Sequence, residues 1–432
     1  LRQRLSPSGN YATSSTRMSE KKRLVIVGGG AAGFFSAINA AQLANNLEVI
    51  ILEKTHKLLS KVRISGGGRC NVTHQCFDNK LLAANYPRGN KELLSCFHQF
   101  NAADTIEWFS QHKIKLKAES DGRMFPDTDS SETIINCFLN EANKSGITIK
   151  TGVALTGYSQ TEDGQFILHL SDKTTLHATF LLIASGGHPA ASAYSWISNV
   201  SNHTILNPTP SLFTFNIPNS PFKGLEGVAV EVTLTLPGYN RTEKGPLLIT
   251  HWGLSGPVVL RMSAWAAEWL GKKNYLTEVS INFLQGLNHA KALEIFTENK
   301  NTYAKLSLAT NKFSTNIPNR LWERLLECAN IDKQLQYAQL SKKQINTLVN
   351  LLADFRVAMN GKTTFKEEFV TCGGVHLAEI NMKTMESKKI YNLFFAGEVI
   401  NVDGITGGFN FQAAWSTAMI AARNIASRCN NS

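Results

Sequence analysis

Near its start the chain passes from a short apolar, β-branched segment, Arg23 to Val27 (RLVIV), straight into Gly28-Gly29-Gly30-Ala31-Ala32-Gly33. An alanine-rich, proline-free stretch from Phe34 to Ala44 follows, and then a second apolar run, Leu47 to Leu52, that ends at Glu53. These patterns predict a buried parallel strand, a helix and a second buried strand. Glycine spacing of this kind is weak evidence alone. In a strand–turn–helix–strand frame, with an acid 20 positions past Gly33, it reads as a dinucleotide-binding βαβ unit. Gly28 permits the tight turn, and Gly30 lets the backbone approach a pyrophosphate that the helix N-terminus stabilises with free N–H groups. Gly33 allows close packing of helix on strand, and Glu53 is placed to accept hydrogen bonds from a ribose diol.

NAD and FAD share this fingerprint, so the cofactor is decided elsewhere. Ile390 to Phe395 (IYNLFF) predicts another strand, followed by Ala396-Gly397-Glu398 and then Asp403-Gly404-Ile405-Thr406-Gly407-Gly408-Phe409-Asn410. A new helix is expected to begin near Phe411. Between these ends, Phe180 to Ile183 predicts a strand that runs into Ala184-Ser185-Gly186-Gly187. Three glycine turns after three strands, converging on one sheet edge, suit the longer FAD, whose ribityl chain and flavin need contacts beyond the first turn. No second G-x-G-x-x-G follows a strand, so a dedicated nicotinamide domain is not expected. NAD(P)H would then dock transiently over the flavin, unless another donor reduces it.

A length of 432 residues allows about three ordinary domains. No stretch approaches the roughly 18 uninterrupted apolar residues of a membrane span, so a soluble, cytoplasmic protein with no membrane partner is expected. Cys70, Cys76, Cys96, Cys137, Cys328, Cys372 and Cys429 are scattered and odd in number, which suits a reducing compartment. Cys70 and Cys76 are too far apart in sequence to read as a redox disulfide, and no metal site is expected. Leu1 to Arg17 contains three Arg and no acid. It reads as sequence upstream of Met18 or as a targeting segment, with the former preferred, and it is left out of the fold.

The sequence resembles the BaiN-like flavoproteins, also described as YhiN-like or aminoacetone-oxidase-type. Ser65-Gly66-Gly67-Gly68-Arg69-Cys70-Asn71-Val72-Thr73 carries the resemblance most specifically. Gly122-Arg123-Met124-Phe125-Pro126, Thr250-His251-Trp252-Gly253-Leu254-Ser255-Gly256-Pro257 and Cys372-Gly373-Gly374-Val375 add to it. Thr384 to Lys388 and Ala396 to Gln412 complete a match that spans nearly the whole chain. Asn401 stands where relatives often carry Asp, and His188 to Trp196 lacks the glycine-rich run that many members have there. Asn401 is therefore given no cofactor role, and the second departure suggests a side branch of the family.

The resemblance implies a discontinuous Rossmann-type FAD domain (residues 18–205 and 367–432) in an α/β fold. Inserted in it are a β-rich, barrel-like domain (206–256 and 357–366) and a mainly helical insert (257–356). Prolines and glycines between Pro210 and Ile249 agree, breaking that stretch into short alternating segments such as Val228 to Leu236. From Leu287 to Lys366 there are twelve basic residues against six acidic ones, a net +6 within a chain of net +11. Any one of these charges suits a solvated face. As a set they make the helical insert the candidate for contacting a polyanion such as RNA.

A flavin carries hydride chemistry itself, and the protein supplies position, electrostatics and a proton. Cys70, beside Arg69 and three glycines, is the first candidate for the proton donor. His251 and His376, each next to a glycine turn, are the others, and a small packed thiol or a loop histidine is the plainer reading of each. Arg69 and Asn71 suit orientation of flavin or substrate, whereas Lys61 and Arg63 either neutralise the pyrophosphate or are simply solvated. Ala32, Lys54, Gly67, Gly68 and Val153 complete the set expected to contact the cofactor.

Three functions follow. The first is reduction of a ribosomal RNA uridine to dihydrouridine, which the resemblance implies and the basic charge suits. The target base would have to be splayed out of its stack. The second is a small-molecule enzyme, an ene-reductase on steroid-like enones or an amine oxidase, with an enclosed apolar pocket. The third is a non-catalytic flavin-binding assembly or sensor protein.

Overall fold

Lys22–Val27 lies at the heart of a seven-stranded sheet and pairs in parallel with Leu47–Glu53 on one side and Phe180–Ile183 on the other. This computed structural model describes residues 21–284, 286–363 and 370–431; the expected leader lies outside them. Thr148–Thr151 extends the sheet in parallel beyond Leu47–Glu53, and Leu393–Phe395 extends it beyond Phe180–Ile183. Ile380–Asn381 and Glu386–Ser387 add a short antiparallel edge. The register sets Val27 beside both Leu52 and Ile183, and Ile183 beside Phe395. The turns that follow Val27, Ile183 and Phe395 therefore leave the sheet at one level, on its carboxyl edge, where ligands of open α/β sheets bind.

The strands read as continuous apolar runs because both faces of the sheet are covered. Leu24, Val25 and Ile26 are fully buried. Two helices, Ala31–Leu43 and Phe409–Asn430, pack against each other over this sheet. Small alanines let them approach, while Phe35 meets Trp415 at 5.2 Å and Trp108 at 4.6 Å between ring centroids. Burying a side chain such as Phe34 or Phe35, both at 0% exposure, contributes about 1.5–3 kcal/mol.

A second, antiparallel sheet of seven strands runs in the order Phe355–Asn360, Leu276–Asn282, Ala229–Thr235, Thr242–Thr250, Gly253–Ser255, Thr214–Asn216, Lys362–Thr363. In Ala229–Thr235 the alternate residues Val230, Val232 and Leu234 point inward, the period-two pattern of a strand with one buried face. Pro257–Trp265, His289–Thr302, Asn319–Cys328 and Lys342–Ala353 supply helices to the same core. Asn319–Cys328 buries Leu321, Trp322, Leu325 and Leu326 on one stripe. A capping box between Ser341 and Gln344 starts Lys342–Ala353. The buried side chains fall into two clusters, one around each large sheet. Where the chain crosses between them, Ile205–Ser211 pairs antiparallel with Val370–Val375.

Several boundaries differ from those read in the sequence. The span expected to be mainly helical also carries Leu276–Asn282, a strand whose inward pair, Val279 and Ile281, is too short a signal to separate from a helix. The last strand of the first sheet shortens to Leu393–Phe395 because Asn392, at φ +63°, turns the chain just before it. The two helices after glycine turns begin at Ala31 and Phe409, earlier than expected. Among the described residues no helix is long and apolar enough to cross a membrane.

Candidate active site

Gly28 adopts φ +119°, and a β-carbon there would collide with the carbonyl oxygen of Ala184. The first and second glycine turns thus touch, which brings Ser185 and Gly186 beside Gly30 on the wall of one cavity of about 630 Å³. Around Gly30 nothing lies within 4 Å of where a side chain would begin, so the start of the helix Ala31–Leu43 is open to a ligand. A side chain at Gly33 would strike the carbonyl of Gly28, which explains glycine at the helix–strand contact.

Glu53 closes one end of the cavity. Its Oε2 accepts from the backbone N–H of Gly29 at 2.9 Å, and its Oε1 accepts from the N–H and hydroxyl of Thr55, each at 2.9 Å. Those bonds fix the carboxylate and leave lone pairs for further donors. The third turn contributes Gly397 and Glu398, and the start of the last helix contributes Asn410 and Ala414. Glu398 accepts from Lys61 Nζ at 2.6 Å and from the N–H of Thr371 at 3.0 Å. Asn410 is held by its own loop, accepting from Gly404 N–H and donating to Gly404 O, both at 2.9 Å.

Lys54, Lys57 and Lys61 stand on the same wall. Burial, reinforced by the charges of Lys54 and Lys61, holds the nearby His188 imidazole below its ordinary pKa. The lining thus carries three lysines against Glu53 and Glu398, a positive excess that suits a pyrophosphate. Glycine turns at three strand ends, an anchored carboxylate and this positive lining fit a dinucleotide as long as FAD.

The remaining residues expected at the cofactor lie behind the wall or away from it. In the Ser65–Thr73 block, Ser65 and Gly66 reach the cavity. Gly67 and Gly68 are exposed, and Arg69 turns away to Glu119 at 2.6 Å and stacks over Phe125 at 3.9 Å. With its amide oriented to satisfy its neighbours, Asn71 donates to Thr73 O at 3.0 Å and accepts from Gly408 N–H at 2.9 Å. Val153 donates its N–H to Glu53 O at 3.1 Å and so braces the acid's backbone. Asp403 is fully buried against Arg88, Gly407 O contacts His74 Nδ1 at 3.0 Å, and Phe409 stacks on His74 at 4.7 Å.

The three candidate proton donors are not brought together, and none is on the cavity wall. Cys70 is wholly buried, and burial pushes its thiol pKa up to about 12. His251 projects from the turn between Thr242–Thr250 and Gly253–Ser255 with its side chain 80% exposed, 4.0 Å from Glu226. His376 caps a short helical turn by accepting from Ala378 N–H at 3.1 Å and lines a different surface cleft. Sequence reading missed Leu212, Thr214, Leu260, Thr363 and Val370, which also line the cavity; Thr214 and Thr363 come from the antiparallel sheet, Leu260 from the helix Pro257–Trp265, and Leu212 and Val370 from the crossing between the two sheets. Only Ser255 carried a signal, as part of the Thr250–Pro257 block.

The family described as HI0933-like protein Rossmann domain matches residues 22–424. The chain belongs to this family. It is an FAD-dependent oxidoreductase with a Rossmann-type FAD-binding unit. The ribosomal RNA dihydrouridine synthase of Escherichia coli (strain K12) is 32% identical over 403 residues, covering 91% of this chain and 95% of that protein. The 3-dehydro-bile acid delta(4,6)-reductase of Clostridium scindens is 27% identical over 408 residues, covering 92% and 97%. In fold the chain is similar to the crystal structure of 3-ketosteroid delta1-dehydrogenase from Sterolibacterium denitrificans in complex with 1,4-androstadiene-3,17-dione. That likeness has a TM-score of 0.50 at 11% identity, covering 94% of this chain and 99% of that one.

Proposed function

We propose that this enzyme reduces a carbon–carbon double bond conjugated to a carbonyl, and that its substrate is a uridine of large-subunit ribosomal RNA. The observation that carries this reading is the nearly full-length similarity, at 32% identity, to a ribosomal RNA dihydrouridine synthase. The bile acid reductase relative supports the same bond chemistry, since both names describe adding two hydrogens beside a carbonyl. Bound FAD supplies the hydride.

In this reading Gly28, Gly30, Ala32 and Ser185-Gly186 approach the pyrophosphate, and Glu53 takes the ribose. Lys54 and Lys61 balance the phosphates. Gly397, Glu398 and Asn410 hold the far end of the cofactor. Cys70, Arg69, Asn71, Asp403, Gly407, Gly408 and Phe409 shape that site from behind. NAD(P)H, docking transiently, serves as electron donor.

The basic insert supports RNA contact through fewer residues than its charge suggests. Lys291, Lys333 and Arg356 are ion-paired on the surface. Lys300, Lys312 and Arg320 donate to backbone carbonyls, as does Arg324, which also pairs with Glu327. Lys362 lies over the Tyr275 ring at 5.0 Å, and Lys366 lies outside the described residues. Lys305, Lys342 and Lys343 are exposed and make no ion pair or hydrogen bond among the described residues, so they are the insert's candidates for phosphate contact.

Mapping dihydrouridine in ribosomal RNA from cells with and without the gene tests the reading. A single dihydrouridine that disappears with the gene, and returns with the intact protein but not with a Gly30→Trp variant, whose side chain fills the open space beside the first turn, is the expected result. Unchanged RNA would overturn it and direct the purified holoenzyme to steroid-like enones.

A further inference from the structure

The cavity has two unlike walls. One is the set of glycine turns that fits the cofactor. The other consists of Leu212, Thr214, Ser255, Leu260, Thr363 and Val370, drawn from the antiparallel sheet, its helix Pro257–Trp265 and the crossing between the sheets. It offers aliphatic side chains and three hydroxyls, with no carboxylate, ammonium, thiol or imidazole among the described residues. Such a wall suits a neutral, carbonyl-bearing ring.

The three hydroxyls are not equivalent. Thr363 donates its hydroxyl to Asn216 Oδ1 at 2.8 Å. Thr214, only 3% exposed, donates its hydroxyl to Ser255 Oγ at 3.2 Å. The Ser255 proton then has no acceptor among the described residues, and a hydroxyl that already accepts one hydrogen bond is a better donor of the next. Local structure fixes the pair. Thr214–Asn216 and Gly253–Ser255 run antiparallel with Phe215 opposite Leu254. Directly after Ser255 the chain turns at Gly256, φ +93°, where a β-carbon would lie 2.8 Å from both Leu248 N and Pro246 O. Ser255 is thus the last residue of its strand, held at the cavity by a turn that glycine alone makes without strain.

We infer that Ser255, polarised by Thr214, is a catalytic residue that donates a hydrogen bond to the substrate carbonyl oxygen; this rests on the reading of the enzyme as a reductase of carbonyl-conjugated double bonds. Hydride from the FAD-dependent activity forms the new C–H bond at the β-carbon while the C=C π bond breaks. The electron pair moves toward the carbonyl oxygen, and a solvent proton then adds at the α-carbon. An O–H donor aimed at that oxygen stabilises the charge that develops there.

The test compares wild-type, Ser255→Ala, Thr214→Val and Ser255→Thr holoenzymes. Each is reduced anaerobically and given either large-subunit ribosomal RNA from cells lacking the gene or the enone steroid androst-4-ene-3,17-dione. Ser255→Ala is expected to lower kcat about 100-fold, the scale of removing one such donor. Its bound FAD and KM for the RNA should stay unchanged, and Ser255→Thr should recover most of the rate. Thr214→Val should fall in between. Turnover by wild type with Ser255→Ala within twofold of it overturns the role of Ser255 alone. Turnover of the steroid but not the RNA overturns the uridine reading, and the steroid rates then decide Ser255. No turnover of either probe by wild type overturns both.

Discussion

Asp403, fully buried in the third glycine loop, is gripped by Arg88, whose Nε donates to Asp403 Oδ1 at 2.6 Å while its second nitrogen reaches Oδ2. Arg88 also donates to Ala264 O at 2.7 Å, and Ser211 donates to Asp403 Oδ2 at 2.8 Å. One ion pair thus ties the third glycine loop to both the crossing strand Ile205–Ser211 and the helix Pro257–Trp265. Ser211 is followed by Leu212, at φ +57° on the cavity wall, so the same network sets where that wall begins. Removing one partner of a buried pair leaves an uncompensated charge and costs about 3–5 kcal/mol. Asp403→Ala is expected to lower the thermal midpoint of the holoenzyme and to speed FAD loss, both read by flavin fluorescence on heating. An unchanged midpoint would show that Arg88 finds another partner.

The first glycine turn separates folding from binding. Gly28→Ala meets Ala184 O in a backbone conformation that favours glycine, so it should yield little folded protein. At Gly30 there is empty space and ordinary backbone, so Gly30→Ala should fold. Its added methyl occupies ligand space, and FAD affinity should drop roughly tenfold or more, a loss of at least about 1.4 kcal/mol. Circular dichroism and FAD titration of the apoprotein would check both.

Cys70 should be chemically silent. Its thiol pKa near 12 keeps it protonated across the physiological range, and the thiolate is the reactive form. Alkylation of the native holoenzyme at pH 8 should spare it, and Cys70→Ala should keep turnover within a few-fold. A loss of 10²–10⁴-fold, the range for a general acid, would restore Cys70 as proton donor.

Buried His203 sits between the hydroxyls of Ser201 at 2.6 Å and Ser387 at 2.9 Å, and burial brings its pKa down to about 4. The unfolded chain binds this proton near pH 6.5 and the folded one does not, so stability falls as pH drops through the window from about 6.5 to 4. Urea midpoints across that window should decline in the wild type and decline less in His203→Gln. Parallel slopes would remove His203 as the cause.

If Lys305, Lys342 and Lys343 contact phosphate, replacing all three with Gln should flatten the dependence of RNA binding on salt. The expected change in log–log slope is about 0.7–0.9 per lost contact. Replacing Lys291 and Lys333, which are ion-paired within the insert, should change it less. Filter binding over a salt series distinguishes the two sets.

The dinucleotide unit was legible because its signals are local. A strand, a glycine turn, a helix and an acid at fixed spacing each follow from backbone sterics and side-chain periodicity; in the structure Gly28 and Gly33 have no room for a side chain, and Glu53 lies on the cavity wall. The three turns could be expected to meet because strands that end in glycine and pair in parallel open on one edge. The fate of Cys70 was not legible: its neighbours in sequence suggested an activated thiol, whereas burial in the fold raises its pKa. Likewise the twelve basic residues of the insert are countable in sequence, but their partners are not.

By itself, then, the sequence determined the three glycine turns on the cavity wall, since glycine turns and strand ends act over a few residues. Only the tertiary structure decided the opposite wall. Leu212, Thr214, Ser255, Leu260 and Thr363 are brought to the cavity by antiparallel pairing and by the crossing at Ser211. Contacts between residues far apart in the chain leave no periodicity to read, because they are set by how two independently packed cores meet.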